Sequence, residues 1–119
     1  MITIFQIRTT KEQADAFNAG ASDPAIEAKR KLMFGANKFD ASMLKYFTAV
    51  ADVYTNDLEQ AFEATNIPTG IEVDRFGKMH SASVGDIFAK DGRFFMVDMW
   101  GFQELRLFTD EIEMIGEAA

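Results

Sequence analysis

Two apolar runs, Val84 to Ala89 and Phe94 to Met99, flank Asp91-Gly92. An Asp-Gly pair between such runs is a strong short-range signal for a two-residue hairpin turn. With Asp91 and Gly92 as the loop, Lys90 falls opposite Arg93, Phe88 opposite Phe95, Ile87 opposite Met96 and Asp86 opposite Val97. Phe95, Val97 and Met99 then share one face of the second strand, and Phe94 and Met96 share the other. A strand apolar on both faces belongs inside a sheet covered on both sides. The hairpin at 84–99 is therefore the expected centre of the fold.

The rest of the pattern supplies the partners. Ile2 to Ile7 reads as a short first strand. Thr10-Lys11-Glu12-Gln13 has the form of a capping box, opening a short helix that Gly20 ends. Asp23-Pro24 starts a second helix, with Asp23 as N-cap and Pro24 at the first helical position. Its expected inward residues are Ala25, Ile26, Leu32 and Met33, and Gly35 closes it. Ala36 to Ser42 reads as a connection. Met43 to Tyr54 mixes strand and helix signals, and its β-branched and aromatic residues favour a strand from about Lys45 to Tyr54. A third helix runs from Asp57 to about Thr65, capped by Thr55 or Asn56, with Leu58, Ala61 and Phe62 inward. Thr69 to Met79 reads as irregular. Gly101 suggests a bulge or bend, with Phe102 to Phe108 continuing extended and Ile112 to Ile115 forming a last strand or turn. The expected fold class is α+β: one small domain over residues 1–119, a mainly antiparallel sheet and about three helices, with a helical N-terminal part at about 10–35.

Composition narrows the function classes. The 119 residues include no cysteine, which removes disulfides and thiolate chemistry, and a single histidine, which rules out a multi-histidine metal site within one chain. No metal or cofactor is expected. No targeting or membrane-spanning run is evident, so a cytoplasmic location and no membrane partner are the expectation. The net charge of −7 opposes nonspecific attraction to nucleic acid. It leaves open a DNA mimic, although only the C-terminal stretch bearing Asp110, Glu111, Glu113 and Glu117 is one-signed. Lys29-Arg30-Lys31 is the densest basic cluster, and on a helix it fans around a solvated face.

Candidate chemistry is sparse. His80, Ser81, Ser83 and Asp86 contain the residue types of a Ser-His-Asp hydrolase, but neighbours on an extended chain point to opposite faces, so convergence is not expected. Ser81 and Ser83 are expected to bond local backbone, with His80 at the rim. Asp86, after Gly85, is expected to accept backbone amides in a turn. In the hairpin register Asp86 and Asp98 lie on opposite faces and form no carboxylate pair. Of the aromatic cluster, the Phe residues are expected in the core. Trp100, where the strand breaks, is a candidate for a protein-binding patch, with Phe102 and His80 as further candidate binding residues.

Three segments together resemble YodL-like domains, small uncharacterised domains of phage, plasmid and other mobile-element proteins. They are the helix ending in Asn66, the segment His80-Ser81-Ala82-Ser83-Val84-Gly85-Asp86, and the aromatic strand ending in Gly101-Phe102, together spanning roughly residues 46–105. The resemblance implies a mobile-element setting and no catalytic activity. The expected function is binding of another protein, such as a host enzyme or defence component, with self-association through an open sheet edge as an addition. Nucleic-acid binding or DNA mimicry is the alternative, and hydrolysis by His80 and Asp86 the third reading.

Overall fold

A computed structural model describes residues 1–115 of the chain, so Glu117 lies outside the described residues. Six strands form one antiparallel sheet: β1 (Ile2–Ile7), β2 (Phe47–Val53), β3 (Val73–Arg75), β4 (Ile87–Lys90), β5 (Arg93–Val97) and β6 (Phe102–Leu105), in the order β3-β2-β1-β4-β5-β6. The helices are α1 (Lys11–Asn18), α2 (Pro24–Leu32), α3 (Leu58–Asn66) and α4 (Thr109–Ile112), with two 3₁₀ segments at Ala36–Lys38 and Ala41–Tyr46. The α+β class expected from the pattern is what the chain adopts.

The central hairpin has the expected register, Ile87 with Met96 through Lys90 with Arg93. Asp91 and Gly92 both have positive φ, 51° and 74°, as a type I′ turn requires. The sheet is covered on both faces. Over one face, α2 and the 3₁₀ segments pack Leu32, Met43 and Leu44 against Ile7, Phe47, Ile87 and Met96 of the sheet. Over the other, α3 and the segment leading into β4 pack Ala61 and Ala82 against Ile4, Val50, Phe88 and Val97. β2 serves both cores because its register against β1 shifts between Ile4 and Phe5, leaving Val50 as the extra residue. That bulge reverses the side-chain parity, so Phe47 enters one core and Val53 the other.

Several local expectations are corrected. β2 begins at Phe47, because Asp40 caps the 3₁₀ segment through the Ser42 amide and draws Lys45 and Tyr46 into it. The cap of α3 is Asp57, whose carboxylate accepts from the Gln60 amide. α2 buries Ala25, Ala28 and Leu32, whereas Met33 is exposed and Ile26 only half-buried. Residues 73–75 of the stretch read as irregular form β3, paired with Val53, Asp52 and Ala51. Gly101, φ +69°, closes a four-residue turn in which the Asp98 amide donates to the Gly101 carbonyl, so the chain reverses into β6. Of the two alternatives for the last segment, strand or turn, the described residues take the second, as the helical turn α4.

Candidate functional site

Between β3 and β4 the chain crosses the α3 face of the sheet without a ladder of its own, so its backbone groups need other partners. Side chains supply them. Gln6, fully buried on β1, donates through Nε2 to the His80 carbonyl at 2.8 Å and to Asp86 Oδ2 at 3.0 Å. Thr65 Oγ1 accepts from the Ala82 amide at 2.9 Å, and Asn66 Nδ2 donates to the Ala82 carbonyl at 3.2 Å. The helix end, the crossing segment and β1 are thereby joined.

Residues Ser83 to Asp86 form a tight turn. The Asp86 amide donates to the Ser83 carbonyl at 3.1 Å, and the Ser83 amide donates back to Asp86 Oδ2 at 3.0 Å. Gly85 occupies the third position with φ +96°, and a Cβ there would stand 2.8 Å from that of Leu32. Glycine is needed both for the backbone and for the close approach of α2. Asp86 is the expected backbone acceptor; the hydroxyls of Ser81 and Ser83 make no hydrogen bond among the described residues, so the carboxylate does what the serines were expected to do.

Burial pushes the Asp86 carboxyl up to about 7, against the opposing effects of the Ser83 amide, the Gln6 amide and the Lys29 charge. His80 is half-buried, and desolvation lowers its pKa from the ordinary histidine value. Its Nδ1 lies 2.8 Å from the Ser81 carbonyl, which places the ring proton on Nδ1 and leaves Nε2 an acceptor. Asp86 does not bond to His80; Gln6 Nε2 donates to Asp86 and to the His80 backbone carbonyl, and stands where a triad would need direct contact. Asp52 and Asp98 are likewise occupied separately, Asp52 by the Thr3 hydroxyl at 2.6 Å and Asp98 by the Ala36 amide at 3.1 Å and the Met99 amide at 2.8 Å. Among the described residues no three His, Asp or Glu side chains come together as a metal site requires, and no helix is long and apolar enough to cross a membrane.

The aromatic residues separate. Phe94 packs against Phe5, with ring centroids 6.3 Å apart, and Phe95 lies under the Arg93 guanidinium. Phe102, a candidate binding residue from the sequence, is half-buried and packs on Phe88 at 5.3 Å, so its ring belongs mainly to the core. Trp100 is 92% exposed. Beside it in the turn Met99 is 62% exposed, and at the end of α2 Met33 and Phe34 are 61% and 75% exposed. Asp98 ties these two loops together, since it accepts from Ala36 and its Oδ1 lies 3.3 Å from where a Cβ of Gly35 would be. An open groove of about 510 Å³ leads away from Phe34, walled by Arg30, Lys31, Met43 and Tyr46.

Sequence reasoning found Trp100 but missed Gln6, Phe34 and Met99. Gln6 was marked only by being the polar position in Ile4-Phe5-Gln6-Ile7, and Phe34 by standing just before the helix-closing Gly35. Comparisons of the chain with protein-family models, with curated proteins and with solved structures give no match.

Proposed function

We infer that this protein acts by binding another protein through the face formed by Met33, Phe34, Met99 and Trp100. The observation that carries the reading is the exposure of four large apolar side chains on two loops held together by Asp98. Large exposed apolar groups that are fixed in position suit a docking surface, and tryptophan is among the residues that most often dominate binding energy. Arg30 and Lys31 rim the adjoining groove, which favours a partner segment carrying both apolar and acidic side chains. A partner of different sequence is favoured over a second copy, since two copies would each bring a net charge of −7 and the edge strand β6 carries Glu104. The resemblance to YodL-like domains adds a mobile-element setting, in which the partner is a host enzyme or defence component.

Affinity capture from nuclease-treated host lysate, with wild type and Trp100→Ala side by side, tests this reading. One stoichiometric partner retained by wild type and lost by the folded variant is the expected result. Recovery of the wild-type protein alone would overturn it.

A further inference from the structure

Among the described residues, three buried side-chain polar atoms have no partner: Gln6 Oε1, His80 Nε2 and Thr48 Oγ1. They gather in one region, because Thr48 stands opposite Gln6 in the β1–β2 register and Gln6 contacts His80. The orientation of the Gln6 amide is fixed by its partners. Its Nε2 faces two acceptors, the His80 carbonyl and Asp86, and reversing the amide would put oxygen against oxygen.

Two cavities open here and share Lys29 and His80 in their walls. One, about 230 Å³, is lined by Ile7, Leu32, Met33 and Val84 with Ser83 and Asp86 at its polar side. The other, about 200 Å³, is lined by Gln6, Arg8, Thr9, Lys78 and Met79. Arg8, Lys29 and Lys78 thus converge on this cleft in a protein of net charge −7, and among the described residues none makes an ion pair. Three unpaired cations make an anion-binding wall, two orphaned acceptors ask for donors, and the apolar wall accepts a short carbon body.

We propose that this cleft binds a small organic oxyanion, a carboxylate or phosphate monoester that also carries a hydroxyl or amine. The oxyanion faces Arg8, Lys29 and Lys78, the donor group faces His80 Nε2 and Gln6 Oε1, and the body lies against Leu32 and Val84. Each cavity is smaller than the space a drug-sized ligand occupies, which limits the ligand to a few carbons. The site shares Met33 with the proposed docking face and is otherwise distinct from it, and it does not depend on the protein-binding reading.

His80 is the only histidine, so its ring protons report the cleft directly in proton NMR of the intact protein. The probes are L-malate and glycerol 3-phosphate, with inorganic phosphate and glycerol as controls for the anion and the donor alone. A saturable shift of the His80 resonance by one of the two organic probes is expected, with Kd near or below about 1 mM and about tenfold tighter than inorganic phosphate. Malate alone would identify the carboxylate class and glycerol 3-phosphate alone the phosphate class. Lys29→Gln and Arg8→Gln should each weaken the binding about tenfold while the melting temperature is retained. Absence of a saturable shift with either probe up to about 20 mM, equal affinity for inorganic phosphate, or indifference to both substitutions would overturn the proposal.

Discussion

The region around Gln6 and the region around Trp100 depart from ordinary burial in opposite directions. Around Gln6 the protein encloses an amide and a carboxyl and half-covers an imidazole; on the Trp100 turn and the loop that Asp98 joins to it, four large apolar side chains are exposed to water. The enclosed groups have a structural reason to be there, since Gln6, Thr65 and Asn66 hold a crossing segment that has no strand partner. The exposed groups have none among the described residues. Asp98 and the Gly101 turn fix their positions without covering them, and nothing in the fold would be lost if Trp100 were smaller. The hydrogen-bonded part of the buried polarity is explained by folding, its unpaired atoms by the proposed small ligand, whereas exposed apolarity calls for a protein partner.

Substitutions should separate the two regions by their effect on stability. Gly85→Ala should be the most damaging, because it combines positive φ with a 2.8 Å approach to Leu32; a loss of about 2–5 kcal/mol in denaturant unfolding is expected. Gln6→Leu leaves the His80 carbonyl without its side-chain donor and removes one of the two donors to Asp86, and should cost about 2–3 kcal/mol. A loss under about 0.5 kcal/mol would break the claim that Gln6 secures the crossing segment.

Asp86→Asn should act through pH. Burial raises the folded-state carboxyl to about 7, above its ordinary 3.8, so the folded protein holds this proton more tightly than the unfolded chain. Its contribution is fully present below about pH 4 and is lost as pH rises toward 7, with a slope approaching about 1.4 kcal/mol per pH unit between those limits. The asparagine variant should flatten that decline. His80 has the opposite sign, since its lowered pKa means stability is lost on acidification below the ordinary histidine value. Unfolding free energies of wild type and variant across pH 4 to about 8 check this; parallel curves would contradict the assignment. Trp100→Ala should be the mildest for stability, within about 0.5 kcal/mol, while weakening partner binding by about 2 kcal/mol, roughly 30-fold.

The two regions also differ in how far the sequence announces them. The β4–β5 register is legible because Asp91-Gly92 dictates a local turn and the flanking apolar runs can pair in one way. Trp100 is legible as the residue where an apolar strand breaks. Its neighbours on the face are not, since Phe34 is joined to that turn through the contact of Asp98 with Gly35 and Ala36, some 62 residues apart in the chain. The Gln6–Asp86 contact spans 80 residues and is fixed by the crossing of the chain, which no local pattern encodes. β3 escaped notice for a different reason: its three residues form a short pairing at the sheet edge with two exposed positions, too little to set a periodic signal.

Trp100 is the only tryptophan, so its fluorescence reports the proposed binding face alone. Acrylamide quenching of the purified protein, free and saturated with the captured partner, is the most direct test of that face. An indole freely quenched alone and shielded in the complex is the result this account predicts. Unchanged quenching at saturation, with binding retained in Trp100→Ala, would contradict it.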